Sequence, residues 1–131
     1  MLGASAEALS HDLEAERERI LSFVDIAPHQ AVHQVYALVE RELLGIYNQY
    51  LQGDNRKSLT IRDAKNIRRR IGISDSLETL IGQVRALREM SMRDRNLVIS
   101  EEDTHSYVEL CLETTSRLRK FAAYYQMKST Q

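Results

Sequence analysis

With 131 residues, 43% of them hydrophobic and 28% charged, the chain has the composition of one globular domain rather than that of a disordered segment. One Pro and five Gly are too few breakers for a many-stranded sheet, no apolar run is long enough to span a bilayer, and the first residues lack a basic-then-apolar signal pattern. The single Cys111 allows no internal disulfide, which sets a reducing cytoplasm as the expected location.

The formal net charge of −1 is unevenly spread. Residues 1–55 hold three Arg against nine acids, residues 56–95 hold eleven Lys and Arg against five acids, and residues 96–131 come to −1. Two readings follow. Either the basic middle faces an anionic partner such as RNA, or acidic and basic segments of one fold neutralise each other.

In chain order, Ser5 to Val24 reads as a first helix whose apolar residues Leu9, Leu13, Ile20, Leu21 and Phe23 flank a charged stretch, so it is expected to pack mainly at its ends. Pro28 suits the first turn of a second helix running to about Leu51. Val32, Val35, Tyr36, Val39, Leu43, Ile46, Tyr47 and Tyr50 recur there at spacings of three and four, the strongest helical stripe in the chain. Residues 52–58 have loop composition, and a short helix from Thr60 to Arg70 is expected to stop at Gly72, with basic residues complementing its C-terminal dipole. Ser74 to Ser76 offer caps for a fourth helix with a stripe of Leu77, Leu80, Ile81, Val84 and Leu87, ending near Arg88 or Met92. Arg93 to Ile99 shows no period. Ser100 to Asp103 fits a capping box, opening a fifth helix to about Tyr125 along Tyr107, Val108, Cys111, Thr115, Leu118, Ala122 and Tyr125. These elements predict an all-α, up-and-down bundle of about five helices, the second, fourth and fifth forming the core.

No complete catalytic constellation stands out. His29 and His33 share a helix face and form half of a metal-binding pattern, but no HExxH or paired-Cys motif supplies further ligands, so no metal and no cofactor is assigned. Cys111 on an apolar stripe reads as a core residue rather than a nucleophile. Leu59 to Ser74 has a superficial helix-turn-helix look. The helix after it spends its face on Leu77, Leu80, Ile81 and Val84 where a DNA reader needs polar side chains, so DNA is not favoured.

The feature order from Ala27 resembles the HEPN superfamily, the small helical domains of prokaryotic defence, toxin–antitoxin and related systems. The residues that carry the likeness are the Pro-initiated apolar helix Ala27 to Leu44, the Ser58–Leu59 entry to a short helix, the stretch Ala86 to Asn96, the opening Ile99 to Asp103 with Tyr107 beyond it, and Leu118–Arg119 near the end. The resemblance implies an N-terminal helix over 1–26, a HEPN-like core over 27–126 and a tail over 127–131. Active HEPN ribonucleases carry an Arg, a polar residue after it, a short spacer and then a His. Arg95 and Asn96 match the start, but Ser100 stands five residues on where His is expected, and the next His is His105, inside the last helix. The resemblance therefore implies a degenerate, non-catalytic interaction module, forming a homodimer or binding a partner protein, with Arg95, Asn96 and His105 as remnants of a motif. The alternative is an RNA-binding or residual ribonuclease domain that uses Arg56, Lys57, Arg62, Lys65, Arg68, Arg69 and Arg93. No membrane partner is expected.

Overall fold

A computed structural model describes residues 9–50, 61–94 and 96–129, the side chains of 61–64 and 128–129 excepted. The described residues contain five helices: α1 (His11–Leu21), α2 (Pro28–Tyr50), α3 (Ile61–Ile71), α4 (Asp75–Arg93) and α5 (Glu101–Ser129). The described residues contain no strand, and the fold is an all-α helical bundle.

The helix ends follow local chemistry. Pro28 starts α2, where its missing N–H would have had no partner. Gly72 closes α3 at φ +87°. Its N–H donates to the Arg69 carbonyl at 3.2 Å and the Ile73 N–H to the Arg68 carbonyl at 3.1 Å, a Schellman closure that a side chain at position 72 would strain. Ser74 caps α4 by accepting the Leu77 N–H at 3.3 Å, and Ser100 caps α5 by accepting the Asp103 N–H at 3.0 Å. Of the aperiodic stretch before Ser100, Arg93 still ends α4, while Asp94 and residues 96–99 are non-helical, the Asn96 N–H donating to Asp94 Oδ1 at 3.0 Å.

Helix α2 lies at the centre. It buries Ala31, Val32, Val35, Tyr36, Leu38, Val39, Leu43, Ile46 and Tyr47, a set too wide for a single face. Its most extensive contact is with α5; α4 packs on both, and α1 and α3 add smaller contacts. The expected core of second, fourth and fifth helices is the one observed. Helix α1 contributes Leu13 and Ile20, both enclosed, while its charged middle lies outside.

Helix α5 buries more than its apolar stripe. Thr104, Thr114 and Thr115 are enclosed, each hydroxyl donating to the carbonyl four residues earlier at 2.8 Å. That local bond lets a polar residue occupy the core without an unpaired group. The Tyr107 hydroxyl, also enclosed, donates to the Val84 carbonyl at 2.6 Å and ties α5 to the middle of α4. Leu87 departs from the expected stripe of α4 and is 45% exposed, because it borders an open groove shared with the connection and the first turns of α5.

No helix among the described residues is long and apolar enough to cross a membrane.

Candidate functional site

Functional groups gather at the end of the bundle where α2 begins, α4 finishes and α5 opens. His29 stands at the junction. Its Nδ1 lies 2.6 Å from the Ser91 hydroxyl and 3.1 Å from the Ser91 carbonyl, and its Nε2 lies 2.8 Å from the Leu97 carbonyl. With its proton on Nε2 the ring donates to the Leu97 carbonyl, the shorter of its two carbonyl contacts, and accepts from the Ser91 hydroxyl at Nδ1. One imidazole thus fastens the first turn of α2 to the last turns of α4 and to the following connection. Both its ring nitrogens are committed to protein groups, so it is not half of a metal pair with His33, which is exposed one turn on. No group of three His, Cys, Asp or Glu side chains among the described residues is arranged to hold a metal.

Of the motif remnants, Arg95 lies outside the described residues. Asn96 is exposed in the connection. His105 leans back along its own helix, its Nε2 3.7 Å from the Glu101 carboxylate, and no hydrogen bond joins it to Asn96. Cys111 is fully enclosed and burial pushes its thiol up to about 12, which leaves it a neutral core residue at physiological pH.

Arg56 and Lys57 lie outside the described residues, and the Arg62 side chain does too. Lys65 and Arg69 are exposed four residues apart on α3 and share a face. Arg93 is exposed, 3.9 Å from Glu89. Arg68 requires a correction, since it is not part of an exposed basic face. It is 6% exposed, donates from Nε and Nη2 to both Glu78 oxygens at 2.6 and 2.7 Å, and donates from Nη1 to the Tyr47 hydroxyl at 2.7 Å. Burial alone would depress its pKa; the Glu78 carboxylate and the Tyr47 hydroxyl outweigh that, and the net shift is upward. The reason lies in α3 itself: Ile67 and Ile71 face the core, and Arg68 beside them is carried inward with them. A planar fork with five donors suits such a bidentate clamp.

The charge asymmetry of the chain resolves unevenly. Among the described residues, acids of the first segment pair within that segment or with the tail: Glu16 with Arg19, and Asp12 and Glu42 with Arg119. Cations of the middle segment pair within it: Arg68 with Glu78, and Arg85 and Arg93 with Glu89. Neutralisation of the basic middle by the acidic N-terminal segment is not how the described ion pairs run.

A groove of about 380 Å³ opens beside the connection, lined mainly by apolar groups that include Leu97, Ile99 and Leu110. Leu87, Met90 and Val98 stand on its rim at 45%, 53% and 91% exposure. Of these positions, the sequence pattern places Leu87 in a buried stripe and Ile99 at the opening of the last helix, and it reads none as lining a groove. The available signal was the run Leu97 to Ile99, three consecutive apolar residues in a stretch with no helical period.

Comparison of the chain with protein-family models, with curated proteins and with solved structures gives no match.

The Arg68 clamp predicts a graded response in chemical denaturation. Arg68→Ala leaves the Tyr47 hydroxyl and a largely buried carboxylate unpaired and is expected to cost about 2–3 kcal/mol. Arg68→Met, which keeps an apolar stem against Ile67 and Ile71, is expected to cost about 1 kcal/mol.

Proposed function

We propose that this protein is a non-catalytic, HEPN-like interaction module that pairs with a second copy of itself, in a system of the prokaryotic defence or toxin–antitoxin type. The observation that carries the reading is the apolar rim of Leu87, Met90 and Val98 around the groove beside the connection. Isolated exposed apolar residues are ordinary, but a cluster around an apolar groove marks an interaction surface. A second copy suits it on charge. An exposed cation, Arg93, ends α4 before the connection and exposed acids, Glu101 to Asp103, open α5 after it, Asp103 lining the groove itself. A two-fold axis through the groove would set each against its opposite on the partner. The non-catalytic part of the reading is supported by His105, whose contact is with Glu101 on its own helix, and by His29, whose nitrogens are both spent on structure.

Sedimentation equilibrium tests the pairing. The wild-type chain is expected to be dimeric at micromolar concentration, and Val98→Glu, at a position 91% exposed, is expected to return it to monomer without loss of helicity. A wild-type chain that stays monomeric at high concentration would refute the proposal.

An RNA-binding role for the segment 56–95 is the second reading, favoured by the shared exposed face of Lys65 and Arg69 at the end of α3. Titration of single-stranded RNA at low salt separates the two readings. Phosphate contacts from a few such cations predict binding whose log K falls with log salt at about −0.7 per contact, and absence of binding at low salt removes this reading.

A further inference from the structure

Arg88 occupies an unusual position in the bundle. It sits on the flank of α4 that faces α2, with its guanidinium carbon 5.0 Å from the centroid of the buried Tyr36 ring. Its Nε is fully enclosed and donates to no group. The neighbouring carboxylate, Glu89, is engaged by Arg85 and Arg93, and Arg88 forms no ion pair among the described residues. A ring face compensates part of the lost hydration of a cation, but it accepts no directed hydrogen bond in place of water. The enclosed N–H is the kind of group that native structures almost always satisfy.

Beside Arg88 opens a cavity of about 370 Å³ between the first turns of α2 and the last turns of α4. Its lining holds no acidic side chain. His29 walls it but is committed to Ser91 and Leu97. The polar groups left to meet a ligand are the Arg88 Nη groups, since Nε is enclosed, together with His33 and the Gln30 amide, all able to donate N–H bonds. The first turn of α2 also carries no acid to offset its dipole. The cavity shares only Val32 with the apolar groove, so it is a separate feature.

We infer that this cavity binds the phosphate-monoester group of a small ligand, with Arg88 as its ion-pair partner and His33 and Gln30 as additional donors. A monoester brings a double negative charge and three terminal oxygens to a cavity whose own lining offers several donors and no acid; Glu40 and Glu89 line a separate cavity that Arg88 also borders. A carboxylate brings one charge and two oxygens. A phosphodiester, as in a nucleic acid backbone, brings one charge and carries a substituent on either side that must clear the walls formed by α2 and α4. This assignment does not depend on self-association and is read on the monomer as well as on a dimer.

Titration followed by ¹H–¹⁵N NMR tests it, with inorganic phosphate and phenyl phosphate as probes and dimethyl phosphate and acetate as comparators. Saturable shifts are expected for the Arg88 Nε–H and for the backbone of residues 29–33 and 88–92, from the phosphate and monoester probes only. Arg88→Gln is expected to weaken binding about tenfold or more, the value of one lost charge-assisted contact. The double variant Gln30→Ala, His33→Ala, at two exposed positions, is expected to weaken it severalfold and carries the test if Arg88→Gln does not fold. The assignment is overturned by the absence of saturable shifts, by shifts that map to Lys65 and Arg69 instead, by an equal response to dimethyl phosphate or acetate, or by unchanged affinity in the folded variants.

Discussion

Everything in this bundle depends on covering α2. A helix of 23 residues is about 34 Å long, and nine of its side chains are buried on more than one side. Such a helix is not stable in water alone, because about half of its circumference is apolar, with only the stripe through Gln30, His33, Ala37 and Glu40 left to solvent. Helix α5 covers it along most of its length, α4 covers a second side, and α1 and α3 close what remains. The enclosed threonines and the Tyr107–Val84 bond show how closely α5 is held: polar groups enter the interface only where a carbonyl is available to receive them.

The same demand shapes the two polar locks. At one end Arg68 brings α3 against Tyr47, near the C-terminus of α2, and holds Glu78 of α4 in the same clamp. At the other end His29 gathers α2, α4 and the connection to α5 around one imidazole. Both use a residue that sequence patterning reads as a surface cation or a ligand candidate. The groove and the anion-suited cavity then lie on either side of the His29 end, where helices of unequal length run past one another and leave side chains without a neighbouring helix.

Much of the fold was legible because helical period and cap chemistry are local. The stripe from Val32 to Tyr47, the Ser74 and Ser100 caps and the Gly72 stop are each encoded within a few residues and stand as expected. What was not legible depends on how far one helix extends beside another. Leu87 continues the period of Leu77, Ile81 and Val84, yet it is exposed because it faces an open groove between α4, the connection and the first turns of α5. Arg68 reads as one of three consecutive arginines at a helix end, and only the positions of Tyr47 and Glu78 single it out from Arg69 and Arg70. Arg88 gave no signal, since its distinction is an enclosed Nε without an acceptor, and acceptors are set by packing. Leu38 and Ala31 lie off the stripe and are buried because α2 is covered on more than one side.

Native-state hydrogen exchange measures the order of stability that a central α2 requires. Amides from Val35 to Leu43 should exchange only through global unfolding and be the slowest in the chain together with those of α5 that face them, around Val108 to Leu112, while α3 and the outer face of α1 open at lower free energy. Exchange of the α2 amides ahead of those of α1, or at the rate of α3, would contradict the view that the bundle is built around α2.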